Sequence, residues 1–150
     1  MRRPKLPTLT QLRKKADHLW SVLILLMGTK DGERDAVCGV CLERPAVSAH
    51  HVFHKSMHGR FRYDLRNGLP ICRKCHFMER RDPAPVVIAA IRHLGCSAFR
   101  DFAMDVMDAR GRGAIDRKRN DFDLIIVGLQ AAIEERVIPE VLRGPDPTPV

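Results

Sequence analysis

The reading of this chain turns on residues 38–76, which carry CysGlyValCys at 38–41, AlaHisHisValPheHisLys at 49–55, TyrAspLeuArgAsnGlyLeuPro at 63–70 and CysArgLysCysHis at 72–76. Four of the five cysteines fall in this stretch as two C-x-x-C pairs, Cys38/Cys41 and Cys72/Cys75. Thiolates two residues apart reach one ion from a single tight turn, and two such pairs complete a closed tetrahedral site. The pattern therefore predicts a structural Zn²⁺ held by Cys38, Cys41, Cys72 and Cys75. Disulfides and redox pairs rank lower, because no secretory signal is visible and no βαβ pattern surrounds the cysteines.

Outward from this stretch, the chain is ordinary in composition and uneven in charge. Its 150 residues suffice for one compact domain or a core with extensions, and 45% apolar content is usual for a soluble protein. The longest apolar run, Val22 to Met27, is far too short to cross a bilayer, so no membrane role is expected. A basic start leading into a charged amphipathic stretch argues against a signal peptide. The expected setting is the cytoplasm, a reducing compartment suited to thiolate ligands.

Net charge is +8, and its distribution says more than its size. Residues 1–15 hold six basic side chains and no acid. Between Phe53 and Arg81 lie Lys55, Arg60, Arg62, Arg66, Arg73, Lys74, Arg80 and Arg81, against Asp64 and Glu79. Basic charge concentrated on a metal motif is the footprint of a polyanion-binding surface, so DNA is the expected partner. Lys55, Arg60, Arg62, Arg66, Arg73 and Lys74 are the candidate DNA contacts, and such contacts position the backbone without reading bases.

Helical periodicity places a first helix at residues 9–27. Leu12, Ala16, Leu19, Leu23 and Leu26 form its stripe, Trp20 and Met27 widen it, Thr8 and Gln11 form a capping box, and Gly28 is the stop. Heptad spacing leaves room for a homodimer seam here. A strand is expected around Ala46–Phe53 with its partner near Asn67–Ile71. A short helix from about Cys75 would then end before Asp82-Pro83. Asp82 is the expected cap of a helix over Ala84–Leu94, and Ser97 of another carrying Phe99, Phe102, Ala103, Val106 and Met107. Cys96, between these helices, reads as a small buried hydrophobe. Residues 108–120 read as a basic loop and about 123–137 as a last helix, before a Pro-rich tail.

The order of residue types in 49–76 resembles the HNH endonucleases, whose site is a ββα-metal unit. The resemblance covers about a quarter of the chain. It implies His50 and His76 as ligands of a catalytic divalent ion, Mg²⁺ or Mn²⁺ foremost, with Zn²⁺ or Ni²⁺ as alternatives. It further implies His51 as general base and Asn67 as the residue that orders the intervening loop. The layout of the N-terminal two-thirds, with LeuArgLysLysAlaAspHisLeuTrp at 12–20 ahead of the first cysteine pair, is similar to the NinG/Rap group of phage recombination proteins. That likeness implies branched recombination DNA as substrate and, for a phage-encoded protein, the bacterial host cytoplasm.

The chemistry asks for these residue types on its own terms. Phosphodiester hydrolysis needs a water nucleophile, a base for its proton and a cation for the charge on phosphate and leaving oxygen. A neutral imidazole suits the base role near pH 7 when a backbone carbonyl fixes its tautomer. Neighbours on a regular strand point to opposite faces, so His50 and His51 address one site only at a bulge or a strand end. His54 and His58 crowd the same segment and could supply a third ligand or a phosphate contact; by default a histidine in a polar loop is solvated.

The expectation is thus an α+β protein. A basic arm and amphipathic helix (1–36) precede a Cys₄ zinc ββα-metal module (37–82), a helical region (83–143) and a tail (144–150), and the whole acts as an HNH endonuclease. The alternative is a non-catalytic, zinc-stabilised DNA-binding protein whose histidines are inert.

Overall fold

The computed structural model describes residues 6–30, 33, 35–109 and 117–135. It is a mixed α and β structure in the order α1 (Leu9–Met27), β1 (Ser48–His51), β2 (Gly68–Ile71), α2 (Arg73–Glu79), α3 (Ala84–Leu94), α4 (Cys96–Asp108) and α5 (Arg119–Glu135). Two 3₁₀ turns, Gly59–Phe61 and Leu65–Asn67, lie in the long connection between the strands.

α1 begins where its capping box dictates. Thr8 Oγ1 accepts from Gln11 N at 3.2 Å, and Gln11 Oε1 accepts from Thr8 N at 2.7 Å. The buried stripe is Leu12, Ala16, Trp20, Leu23 and Ile24, while Leu26, expected inside, is 42% exposed. The stripe swings toward Trp20 and Ile24 because α1 covers two surfaces at once. Its N-terminal half packs on Phe122 and Ile126 of α5, and Trp20, Leu23 and Ile24 meet Leu129 of α5 and Ala49 of β1.

The two strands pair antiparallel with Ser48 opposite Ile71 and His51 opposite Gly68. They are shorter than the expected 46–53 and 67–71, since beyond His51 the chain turns away and Asn67 joins a 3₁₀ turn. Gly68 lies in extended backbone, so its role is clearance. A Cβ there would stand 2.5 Å from Ile24 Cγ1 and 3.0 Å from Trp20 Cζ2, so α1 can lie flat on β2 only over glycine.

α2 starts at Arg73, two residues before the expected Cys75, because Cys72 serves as its N-cap with Sγ facing the Cys75 N–H at 3.5 Å. For α3 the helix boundary falls at Pro83 rather than Asp82, although Asp82 Oδ1 still accepts from Ala84 N at 3.0 Å. The cap of α4 is Gly95, not Ser97. Its φ of 84° lies in the left-handed region where glycine carries no Cβ penalty, so α3 can stop and α4 start across one residue. This turn leaves Cys96 at the first position of α4, exposed rather than buried. α5 begins four residues early: Asp121 Oδ2 accepts from Lys118 N at 2.7 Å, and buried Phe122 anchors the first turn. The expected end of this helix at 137 and the tail lie outside the described residues, as does most of the 108–120 loop.

Candidate metal centres and the histidine cluster

The cysteines come together as their spacing predicts. The chain enters the first turn through a bridge between Val37 and Pro45, with Cys38 N donating to Arg44 O at 2.8 Å. It leaves through Leu42, whose φ of 58° is unusual for a side chain other than glycine. Gly39 N donates to Pro70 O at 2.8 Å, tying this turn to the end of β2, from which Cys72 and Cys75 follow. The four Sγ atoms lie within 4.8 Å of one another, with Cys38 and Cys72 buried.

That arrangement fits zinc. Zn–S bonds of about 2.3 Å on a tetrahedron place sulfurs about 3.8 Å apart, so only a small contraction is needed. With no ion bound, the thiols would titrate as one group. Burial raises Cys41, but the amides of Glu43 and Arg44 and the neighbouring thiols outweigh it and bring it down to about 6. Cys75 is pushed up to about 12 by burial and by the surrounding sulfurs. The cluster is compatible with structural zinc. Val86 and Ala89 of α3 close over it together with Leu69 and Ile71.

A second group stands where β1 meets α2. The His50 and His76 rings are 5.1 Å apart between centroids, and His54 lies 6.1 Å from His50. Glu79, three residues beyond His76 on α2, brings Oε1 to 3.8 Å from His50 Nε2 and 3.4 Å from His54 Nε2. His50 is only 7% exposed, and the Glu79 side chain only 10%. Burial lowers the His50 pKa; Glu79 opposes that shift, and His76 and His54 add to it, so His50 is neutral at pH 7 and able to ligate. Glu79 is the member that sequence reading missed, although an acid three residues after His76 shares its helical face. This group is looser than the cysteines: among the described residues, the cysteines alone bring three or more potential ligand atoms all within 4.8 Å.

His51 is on the other face of β1, as strand alternation requires. Its ring stacks on Trp20 at 3.9 Å and 11°, and Nε2–H donates to the Arg62 carbonyl at 2.8 Å. A carbonyl only accepts, so the proton is on Nε2 and Nδ1 is left as acceptor. Burial carries its pKa down to about 4; the Arg62 carbonyl opposes this, and Lys55, Arg62 and His50 add to it.

Asn67 is fully buried and ties the connection between the strands to its own ends. Oδ1 accepts from Phe53 N at 2.7 Å, and Nδ2 donates to Phe53 O at 3.0 Å and Phe61 O at 3.1 Å. Phe61 precedes Arg62, so the amide that fixes this turn also fixes the carbonyl that holds His51.

The basic residues divide. Arg62 makes a two-bond pair with Asp17, both at 2.7 Å, and Arg66 binds Asp64 and Asp105 while lying 4.7 Å over the Phe102 ring. These two guanidiniums hold the protein together. Lys55, Arg60, Arg73 and Lys74 are exposed, as are Arg80 and Arg81. The His58 and Phe53 rings meet in a T-shaped contact, 5.8 Å between centroids.

No family model, curated protein or solved structure matches this chain. Among the described residues no helix is long and apolar enough to cross a membrane.

Proposed function

We propose that this protein is a metal-dependent DNA endonuclease of the HNH type. Branched recombination DNA is its substrate class by the resemblance to the NinG/Rap group. The observation that carries the reading is the β1–β2–α2 unit, which sets His50 against His76 at 5.1 Å with Glu79 beside them. Two imidazoles and a carboxylate suit a borderline divalent cation such as Zn²⁺, Ni²⁺ or Mn²⁺, while Mg²⁺ enters through the resemblance. Bound there, such an ion supplies charge stabilisation for the scissile phosphate and the leaving oxygen.

In this reading the other residues position and shuttle. Asn67 and the Arg62 carbonyl fix the His51 ring, and Nδ1 takes the proton of the attacking water. A pKa of about 4 keeps His51 neutral throughout the working range, though it makes the base a weak one. His51 is the last residue of β1, so the phosphate must reach both faces at the strand end. Arg73, Lys74, Lys55 and Arg60 contact the DNA backbone.

A second reading, a zinc-stabilised DNA-binding module, is favoured by one specific observation. His51 is packed flat on Trp20, as a structural side chain is. Cleavage of linear duplex, flap and four-way-junction DNA with Mg²⁺ or Mn²⁺ separates the two. Wild type cleaves, His50→Ala loses cleavage with its zinc content unchanged, and His51→Ala keeps thermal transition and DNA affinity but not cleavage. Full activity in His51→Ala removes it from the base role. Binding without cleavage under either metal establishes the module.

A further inference from the structure

α2 presents a feature that phosphate chemistry does not use. Phe77, the residue after His76, is 61% exposed, and across from it Val47 is 64% exposed. Between them runs an open groove of about 560 Å³ lined by Arg44, Pro45, Val47, Arg73, Lys74 and Phe77 beside the Cys72 backbone turn. On the other flank of Phe77 is a smaller hollow lined by Arg73, His76, Phe77 and Arg80. Phe77 is therefore the wall between an apolar groove and the hollow that holds a ligand-type histidine.

Charge selects the occupant. Neither lining contains an acid; Arg44, Arg73, Lys74 and Arg80 rim the two depressions, and the Arg81 guanidinium stands 5.6 Å from the Phe77 ring. An aromatic face and apolar floor inside a cationic rim match a nucleobase with its flanking phosphates. Base–aromatic stacking supplies one part and backbone neutralisation the other. A base inside a duplex keeps its faces covered by its neighbours, so the groove takes a base that is already unstacked.

We propose that Phe77 is a stacking platform for an unpaired nucleobase, seated in the groove beside Val47 while the adjoining phosphate lies in the His76 hollow. This rests on the nuclease reading for the identity of the polymer, and it narrows the substrate to DNA with an extrahelical or single-stranded base next to the cleaved bond. The preference for branched over linear duplex then has a physical origin in this groove.

The test measures binding by the zinc-loaded full chain with no other divalent ion, so that cleavage plays no part. Fluorescence anisotropy gives Kd for a matched duplex and for the same duplex carrying one bulged 2-aminopurine. The bulged DNA is expected to bind more tightly, with its 2-aminopurine emission quenched on binding. Phe77→Ala should weaken bulged DNA roughly ten- to hundredfold while matched duplex changes less than about twofold, and Phe77→Trp should restore both preference and quenching. Lys74→Ala should weaken both DNAs alike and flatten the salt dependence. Unchanged emission on binding, or equal losses on both DNAs in Phe77→Ala, overturns the platform. Displacement of DNA by polyglutamate, with no quenching, assigns the groove to an acidic protein instead. Cleavage with Mn²⁺ is scored separately: bulge preference and quenching without cleavage refute the nuclease and leave the platform standing.

Discussion

Replacing Asn67 tests the joint on which the loop depends. Asn67→Ala removes three hydrogen bonds in a fully buried setting. At about 1 kcal/mol net for each, and with the carbonyl and amide of Phe53 left unpaired while Phe61 O keeps its bond from Asp64 N, the loss is about 3–4 kcal/mol. That is a large part of the roughly 5–15 kcal/mol stability of a domain. Asn67→Asp keeps the volume and the bond from Phe53 N, but the oxygen replacing Nδ2 faces the carbonyls of Phe53 and Phe61. Only the protonated acid donates to one of them, so the folded-state pKa must lie above the ordinary Asp value of about 3.9. The sign follows: the variant is least impaired below about pH 4, and its deficit grows by about 1.4 kcal/mol per pH unit until the raised folded pKa is reached. Urea unfolding at about pH 5.5, 6.5 and 7.5 with excess Zn²⁺, each variant set against wild type at the same pH, reads this out. Asn67→Ala should give a flat deficit and Asn67→Asp a rising one. An Asn67→Asp protein as stable as wild type at the highest pH would refute the donation from Nδ2 to the two carbonyls.

Two shorter predictions concern the scaffold. Cys72→Ser should abolish the cooperative thermal transition and the bound zinc together, since ligation and folding are one equilibrium in small zinc modules, whereas exposed Cys96→Ser should change neither; calorimetry with metal analysis decides it. Gly68→Ala should cost about 1–3 kcal/mol by overpacking against Ile24 and Trp20, measured by urea unfolding, and Ile24→Val in the same chain should recover part of the loss.

What could be read from sequence was whatever depends on local chemistry. The C-x-x-C pairs brought their sulfurs together because each pair is fixed by its own turn. Thr8 and Gln11 set the start of α1 through contacts three residues apart, and Ala84–Leu94 followed from Pro83 and Gly95. Failures came where a distant element decided the outcome. Leu26 keeps the helical spacing yet is exposed, because the surface beneath α1 is set by β2 and α5 rather than by the stripe itself. For Arg62, nothing in the local basic run named Asp17 of α1, which takes two of its five N–H donors. The His50–His51 pair is the instructive case: alternation on the strand foretold opposite faces, but nothing local to the pair named Trp20 or Glu79 as what each would meet.

α2 buries no residue of its own and is only seven residues long, well short of the roughly 12–15 at which an isolated helix becomes even marginally stable. Its order must come from its ends, above all from Cys72 at the cap and Cys75 in the first turn. The amides of α2 should consequently exchange with solvent at a rate governed by occupancy of the thiolate site, however stable the α1–α5 pair is. His76, Phe77 and Glu79 ride on that helix, so an ion held by the four thiolates would also set how often all three are in place.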